Sequence, residues 1–177
     1  MNGSHRMVWL AISLMAACPG CGSRPAASSA TNVSIQLFPT LNLNHAQPKL
    51  QTVKLWLGPQ EMTAELAITQ TEVATGMMFR KEMAESEGML FIFSRPHRTS
   101  FYMRNTILPL SGAYIDSEGI ILEIHDLKPL NEEPVPAESD RVQYVLETRQ
   151  GWFERNKVGV GSMVRTERGS FQETFFK

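Results

Sequence analysis

The stretch that decides the fold is GMLFIF, residues 88–93, in which five consecutive apolar side chains follow a glycine. Successive side chains of a strand point to opposite faces, so a strand that is apolar at every position is covered on both faces. We therefore expect a central strand here, with Leu90 and Phe91 in the core.

A hairpin and a helix are predicted before this strand. Apolar and polar residues alternate through residues 53–68, and a Gly-Pro turn interrupts the alternation once, which is typical of two strands joined by a turn. Thr69 is followed three residues later by Glu72, which is the form of a capping box. It predicts a helix over residues 70–79.

More short strands and a second helix are predicted after the central strand. Residues 126–140 contain three prolines and several acids, which an interior strand does not tolerate, so they form a surface loop. A short helix is predicted over residues 148–156. The predicted strands are residues 100–104, 112–115, 120–125, 142–146 and 158–164. The chain is thus expected to form a mainly β domain, a compact sandwich or partly closed barrel with two short helices.

Charge and cysteine content exclude several classes of protein. The 177 residues include 17 Lys and Arg against 18 Asp and Glu, with no basic stripe, so binding of nucleic acid is not expected. Both cysteines, Cys18 and Cys21, precede the predicted domain, which therefore has no thiol for catalysis, a disulfide or a thiolate metal site.

The first residues predict export. Arg6 precedes the apolar run MVWLAISLMAA, residues 7–17, which suits a signal peptide and is shorter than the ~20 residues of a membrane-spanning helix. The run ends in LMAAC, which resembles the cleavage pattern of bacterial lipoproteins, with Cys18 as the lipidated residue. We expect a protein held to the membrane by this lipid alone, on the periplasmic or extracellular side. The alternative is an ordinary secretory signal cut near Ala17 or after Ser23.

The chain then divides into four segments. Residues 1–17 are the signal peptide, and residues 18–48 are small, polar and proline-containing, as in a flexible tether. Apolar and polar residues alternate over residues 33–37, so a short edge strand within that tether is an alternative. The folded domain is expected over residues 49–170 and a tail over residues 171–177.

Three motifs resemble an uncharacterised family called domain of unknown function 192. They are TGMMFR at residues 75–80, GMLFIF at residues 88–93 and SFYMRNTILPL at residues 100–110. The resemblance covers about residues 50–164 and implies a mostly β, sandwich-like fold, frequent export in bacteria and archaea, and no established activity. Two positions depart from the family pattern: Ser111 stands where the family usually has Asp, and Tyr102 where it often has Trp. An activity that needed that acid would be missing here.

Four polar residues form the predicted ligand site: Arg80, Asn105, Thr106 and Glu147. The Arg80 guanidinium can bind a carboxylate or phosphate with two nitrogens. Its alternative role is structural, at the last helix carbonyls or in an ion pair with Glu147. Asn105 and Thr106 follow a strand, where an amide and a hydroxyl either bind a ligand or close a turn.

Glu147 ends an apolar strand, where a partly buried carboxylate needs a partner. That partner is a ligand, or alternatively Arg80, Arg104 or the start of the following helix. We expect Arg80, Asn105 and Glu147 to converge if the helix that ends at Arg80 packs over the strand ends.

The function favoured by the sequence is a non-catalytic accessory domain of the cell envelope. It would bind a small polar or anionic ligand or an envelope protein, without a cofactor or metal. One alternative is a hydrolase that uses carboxylates such as Asp116 and Glu147. A second is Cu(I) binding by the clustered thioethers of Met77, Met78, Met83, Met89 and Met103, although methionine is also a common core residue. A close pair of carboxyls would favour the enzyme, and an apolar groove without one would favour binding.

Overall fold

The computed structural model describes residues 44–176, so the predicted signal peptide, Cys18 and the possible strand at residues 33–37 lie outside the described residues. In chain order the elements are β1 Thr52–Leu57, β2 Gln60–Ala67, α1 Gln70–Thr75, β3 Glu87–His97, β4 Ser100–Phe101, β5 Leu110–Ile115, β6 Ile121–Leu127, β7 Val135–Pro136, β8 Val142–Arg149, α2 Trp152–Arg155, β9 Val164–Thr166 and α3 Phe171–Phe175. Within these residues no helix is long and apolar enough to cross a membrane.

Seven strands form one sheet in the order β6-β5-β8-β3-β2-β1-β9, and β4 and β7 form a separate short pair. The predicted central strand is confirmed, because β3 lies in the middle of the sheet with Leu90 and Phe91 buried. β3 pairs in parallel with β2 and antiparallel with β8, and every other pairing in this sheet is antiparallel. The predicted hairpin of β1 and β2 is also present.

The sheet curls so that its two ends meet. Residues beside the outer strands form an isolated bridge between Ile120 and Met163. The Val164 amide donates to the Gly119 carbonyl at 2.8 Å, and the Ile121 amide donates to the Ser162 carbonyl at 2.9 Å. These bonds join only the start of β6 to the start of β9, so the mainly β fold is a partly closed barrel, as predicted.

Each face of the sheet has its own apolar core. On one face Leu146 and Tyr144 pack with Trp152 of α2 and Phe171 of α3. The other face packs Phe91 with Met77 and Met103, from the segments that follow α1 and β4. Alternate residues of β3 and β8 supply the two cores, which explains why β3 is apolar at every position.

The helices differ from the prediction in number and length. Residues 44–176 contain three helices and not two, because residues 171–175 form α3 with Phe171 fully buried, so the predicted tail is part of the domain. Helix α1 has the predicted capping box but ends at Thr75 and not at residue 79, because Gly76 takes φ 46° and ψ −129°. Helix α2 is shorter than predicted because β8 continues to Arg149. Most of the predicted last strand, residues 158–164, is turn or irregular chain, and β9 begins at Val164.

Candidate functional site

A cavity of about 250 Å³ lies between α1, the middle of β3 and the segment from Thr99 to Thr106. Four of its lining residues are aromatic, three carry thioethers, and the rest are small, aliphatic or hydroxyl-bearing apart from one acid. The acid is Glu147, which reaches the cavity from β8. A mostly apolar cavity with few polar groups is the usual form of a small-molecule site.

Glu147 is buried in apolar surroundings. Glu147 is 4% exposed, and its neighbours in the sheet are Met89 of β3 and Gly112 of β5. Among residues 44–176 its side chain has no hydrogen bond and no ion pair. Burial raises the pKa of this carboxyl from 4.5 to about 8, because water no longer stabilises the charged form.

The structural partners predicted for Glu147 are engaged elsewhere. The Arg80 guanidinium binds both carboxylate oxygens of Glu65 on β2, each at 2.9 Å, so the predicted Arg80–Glu147 pair is wrong. Arg104 is exposed and makes no hydrogen bond or ion pair with Glu147 in the part of the chain that the structure describes. The cap of α2 is Gly151, without a side-chain bond, so Glu147 does not cap this helix either.

Asn105 serves the turn through its backbone. It has φ 54°, a left-handed conformation that asparagine adopts more readily than most residues. Its carbonyl accepts from the Phe79 amide at 2.8 Å. Thr106 is buried beside it, donates its hydroxyl to the Arg104 carbonyl at 3.2 Å, and lines the cavity.

The structure therefore brings two of the four predicted site residues together. Thr106 and Glu147 line one cavity. Arg80 lines a different groove, together with Glu65, and its charge is already paired there. Asn105 lies at the rim of the Glu147 cavity without lining it, so the predicted convergence of Arg80, Asn105 and Glu147 does not occur.

Strained backbone is concentrated beside this cavity. Of the four described residues other than glycine that have positive φ, Phe79, Asn105 and Leu130 lie here, and Lys157 lies after α2. Main-chain bonds connect these segments: Leu130 donates to Thr106 at 2.9 Å, and Met103 donates to Asn131 at 2.7 Å. Left-handed residues other than glycine persist only where the surrounding structure holds them, and they often mark binding sites. We call these linked segments, residues 76–80, 103–107 and 128–131, the rim.

The acids proposed for hydrolysis do not meet at the cavity. Asp116 Oδ1 accepts from the amides of Glu118 and Ile120, at 3.0 and 2.9 Å, and so closes the β5–β6 turn. Gly112 of β5 lies opposite Glu147, and Asp116 is four residues further along the chain. At about 3.3 Å per residue, Asp116 is roughly 13 Å from Gly112. Among residues 44–176 there is also no group of three His, Cys, Asp or Glu side chains that could hold a metal.

Ser111 has a structural role in place of the acid usual in the family. Its hydroxyl donates to Asp126 Oδ1 at 2.6 Å and accepts from the Gly151 amide at 2.9 Å. It therefore fastens β5 to β6 and to the turn before α2. The carboxylate here belongs to the neighbouring strand.

The methionines predicted to cluster divide into two groups. Met77, Met78 and Met103 line the cavity. Met83 and Met89 belong to the apolar core that also contains Met77 and Met103, but they do not line the cavity. Sulfur packed against aromatic rings is stabilising without any metal, and Phe91 and Phe101 lie here with ring centroids 4.9 Å apart.

Sequence reasoning missed most of the cavity walls. Phe91 and Phe93 were assigned to a strand, but their register against α1 and the 99–106 segment is a tertiary property. Tyr102, at the position where the family often has Trp, is partly exposed and lines the cavity. The available signal was that Tyr102, like the Trp that the family often has there, is a large aromatic residue.

The curled sheet, the short helices and the apolar cavity define a class of small β-rich domains. The chain belongs to the family domain of unknown function 192, described as "Uncharacterized ACR", whose family model matches residues 53–166. The resemblance drawn from the three sequence motifs is thereby confirmed.

Two solved structures share this fold. A protein of Sinorhizobium meliloti described as a candidate transcription regulator is 31% identical, with a TM-score of 0.65 over 68% of this chain and 97% of its own. A protein of unknown function from Novosphingobium aromaticivorans is 32% identical, with a TM-score of 0.63 over 68% of this chain and 89% of its own. No curated protein matches the chain at a significant level.

Proposed function

We propose that this chain is a lipid-anchored protein of the cell envelope whose domain binds, without catalysis, a small ligand with an apolar body. The site is the cavity between α1, β3 and the 99–106 segment. The observation that carries the proposal is that Glu147, 4% exposed and without a partner in the described residues, lines this otherwise apolar cavity.

An unpartnered buried carboxyl calls for an explanation. Leaving such a group without a hydrogen bond costs about 1–3 kcal/mol, so proteins keep few of them. Replacing Glu147 by an apolar residue would remove this cost, since Met89 and Gly112 beside it need nothing polar. A ligand that bonds to the carboxyl accounts for its presence there.

The geometry favours binding over hydrolysis. A hydrolase of the kind considered needs a second carboxyl close to the first, and Asp116 lies elsewhere and is bonded to the β5–β6 turn. The strained rim supports binding as well, because it holds Thr106 and Met103 in fixed positions at the cavity wall.

A neutral probe tests the cavity. We expect 2-phenylethanol, which has an apolar ring and one hydroxyl, to bind saturably and to shift the backbone NMR signals of residues 75–78 and 99–106. Ala74→Phe fills the cavity from α1 and should weaken binding at least tenfold. The matched control is Thr71→Phe, on the same helix but exposed and outside the cavity, which should bind as the parent does. Absence of saturable binding, or equal binding by the two variants, would refute the cavity as a ligand site.

The same probe and the same Ala74→Phe variant also test the alternative that the cavity binds Cu(I). Met77, Met78 and Met103 line the cavity, so Cu(I) would shift the signals of their methyl groups and displace the probe. Tight Cu(I) binding that Ala74→Phe leaves unchanged would locate metal elsewhere. Tight Cu(I) binding that excludes the probe would replace the organic ligand with copper.

The lipid anchor has its own test. The apolar run of residues 7–17 and the small residues before Cys18 support lipidation at this cysteine. Mass spectrometry of the mature N-terminus in a bacterial host should find a lipidated Cys18. Cys18→Ser should release the protein from membranes, and Cys21→Ser should not. An unmodified N-terminus elsewhere would refute the anchor without affecting the cavity.

A further inference from the structure

Glu147 offers a ligand in the cavity a carboxyl that, once ionised, only accepts hydrogen bonds. Glu147 is the only acid in the lining, and no donor from the described part of the chain reaches its side chain. The hydroxyl of Thr106 is bonded to the Arg104 carbonyl, and that of Thr75 to the Thr71 carbonyl at 2.8 Å. The other lining hydroxyls, of Thr99, Ser100 and Tyr102, make no hydrogen bond to Glu147 either, so a ligand that carries a donor would supply the missing bond.

The walls suit a positive charge. Phe91, Phe93, Phe101 and Tyr102 line the cavity, and the face of an aromatic ring attracts a cation, most strongly where water is excluded. The three thioethers of the lining are polarizable and carry no competing charge. An ammonium group placed among these rings would also lie within reach of the acid.

The charges of the lining residues disfavour an anionic ligand. The lining contains no Lys, Arg or His, and its one ionisable acid is negative when charged. Arg80, the cation that the sequence predicts for an anion site, is held by both oxygens of Glu65 and lines another groove. A carboxylate or phosphate entering this cavity would meet no cation, and it would meet a like charge wherever Glu147 is ionised.

We propose that the ligand is a small organic amine, bound as its ammonium ion, whose nitrogen pairs with the Glu147 carboxylate while its apolar part packs against Phe91, Phe101 and the methionines. This inference rests on the proposed function, because it names the ligand of the same cavity. The volume of about 250 Å³ lies just below the 300–1,000 Å³ of drug-sized pockets, which limits the amine to a single ring or a short branched chain.

Three probes that share one phenyl ring separate charge from shape. They are 2-phenylethylammonium, neutral 2-phenylethanol and the anion 3-phenylpropionate. Each is titrated calorimetrically into the protein at pH 8.5, above the pKa of about 8 at which Glu147 loses its proton. We expect the ammonium to bind at least tenfold more tightly than the alcohol, because an ion pair with hydrogen bonds is stronger than a neutral bond. The anion should bind most weakly of the three.

Two variants attribute the preference to the carboxyl. Glu147→Gln keeps the shape of the side chain and removes its charge, so the tenfold preference for the ammonium should disappear. Glu138→Gln, an exposed acid outside the cavity, should leave all three affinities unchanged. Since the three probes are compared in the parent protein as well, the test does not depend on the folding of a variant.

The outcomes distinguish this inference from the proposed function. If the alcohol binds as well as the ammonium, or if the preference survives Glu147→Gln, the amine is wrong and the cavity remains a ligand site. If the anion binds most tightly, the positive charge proposed for the ligand is wrong. If no probe binds at millimolar concentration, both the amine and the proposed cavity are refuted.

Discussion

Arg80 and Glu65 form a bidentate ion pair, with both N–O distances at 2.9 Å and side-chain exposures of only 14% and 15%. The pair joins the segment after α1 to β2. It leaves Glu147, which the sequence offered as the partner of Arg80, without a cation.

Breaking this pair should destabilise the domain. Glu65→Gln leaves a guanidinium charge in a poorly hydrated place, so we expect a loss of about 3 kcal/mol in the free energy of unfolding by urea. Glu61→Gln is the matched control, on the same strand, because its pair with Lys54 is about half exposed and solvent screening should make its loss much smaller than that of the Glu65 pair. Equal losses for the two variants would show that the Arg80 pair is not buried in solution.

Glu147 should make stability fall as the pH rises. The pKa of its carboxyl is 4.5 when unfolded and about 8 when folded, so between these values the unfolded state loses the proton more readily than the folded state. Ionisation then stabilises the unfolded state by up to about 1.4 kcal/mol per pH unit, with no effect below pH 4.5 and no further change above pH 8. The difference in unfolding free energy between Glu147→Gln and the parent should therefore grow in favour of the variant from pH 5 to pH 8. A difference that stays constant over that range would mean that Glu147 ionises normally in the folded protein.

Gly76 should not tolerate a side chain. Its φ of 46° and ψ of −129° suit glycine, and a Cβ would lie 3.2 Å from the ring of Phe91. We expect Gly76→Ala to cost about 2 kcal/mol in urea unfolding. Gly159→Ala is the control, since nothing lies within 4 Å of its added Cβ, and it should change stability by less than about 0.5 kcal/mol. A neutral Gly76→Ala would indicate that the helix end and Phe91 move apart easily.

Helix α3 should contribute to the stability of the domain. Phe171 is fully buried, with its ring centroid 4.5 Å from that of Tyr144, so Phe171→Ala should lose about 3–5 kcal/mol. Phe176→Ala removes a ring that is 40% exposed and should lose less than about 1 kcal/mol. Thermal melting of the two variants checks both values. If Phe171→Ala melts like the parent, residues 171–177 contribute nothing to stability, as expected of a tail.

Local patterns account for what the sequence predicted correctly. The capping box at Thr69 and Glu72 starts α1, and the apolar run of β3 identifies the middle of the sheet. The same signal was present at the other end of the domain, because Ser170 and Glu173 form a capping box at the start of α3. That helix was predictable from its sequence and was missed.

The properties that depend on register could not be predicted. Glu65 becomes the partner of Arg80 only because β2 pairs in parallel with β3, which no local pattern encodes. The end of an apolar strand predicts a partly buried carboxyl at Glu147, but its isolation follows from Met89 and Gly112 lying beside it across the sheet. Positive φ at Phe79 and Leu130 is likewise imposed by tertiary bonds, since neither residue type favours it.

The position of β3 also has a consequence for how quickly the domain can form. Its parallel neighbour β2 is joined to it through α1 and a loop, and its other neighbour β8 follows only after β4, β5, β6 and β7. Both pairings are distant in sequence, so chain entropy is lost before either is formed, and such topologies fold slowly. The β1–β2 hairpin can form first, whereas Phe91 and Glu147 come together only when β8 joins β3. The cavity is therefore a late product of folding, and the chain spends its early folding steps with the apolar strand at residues 88–93 uncovered.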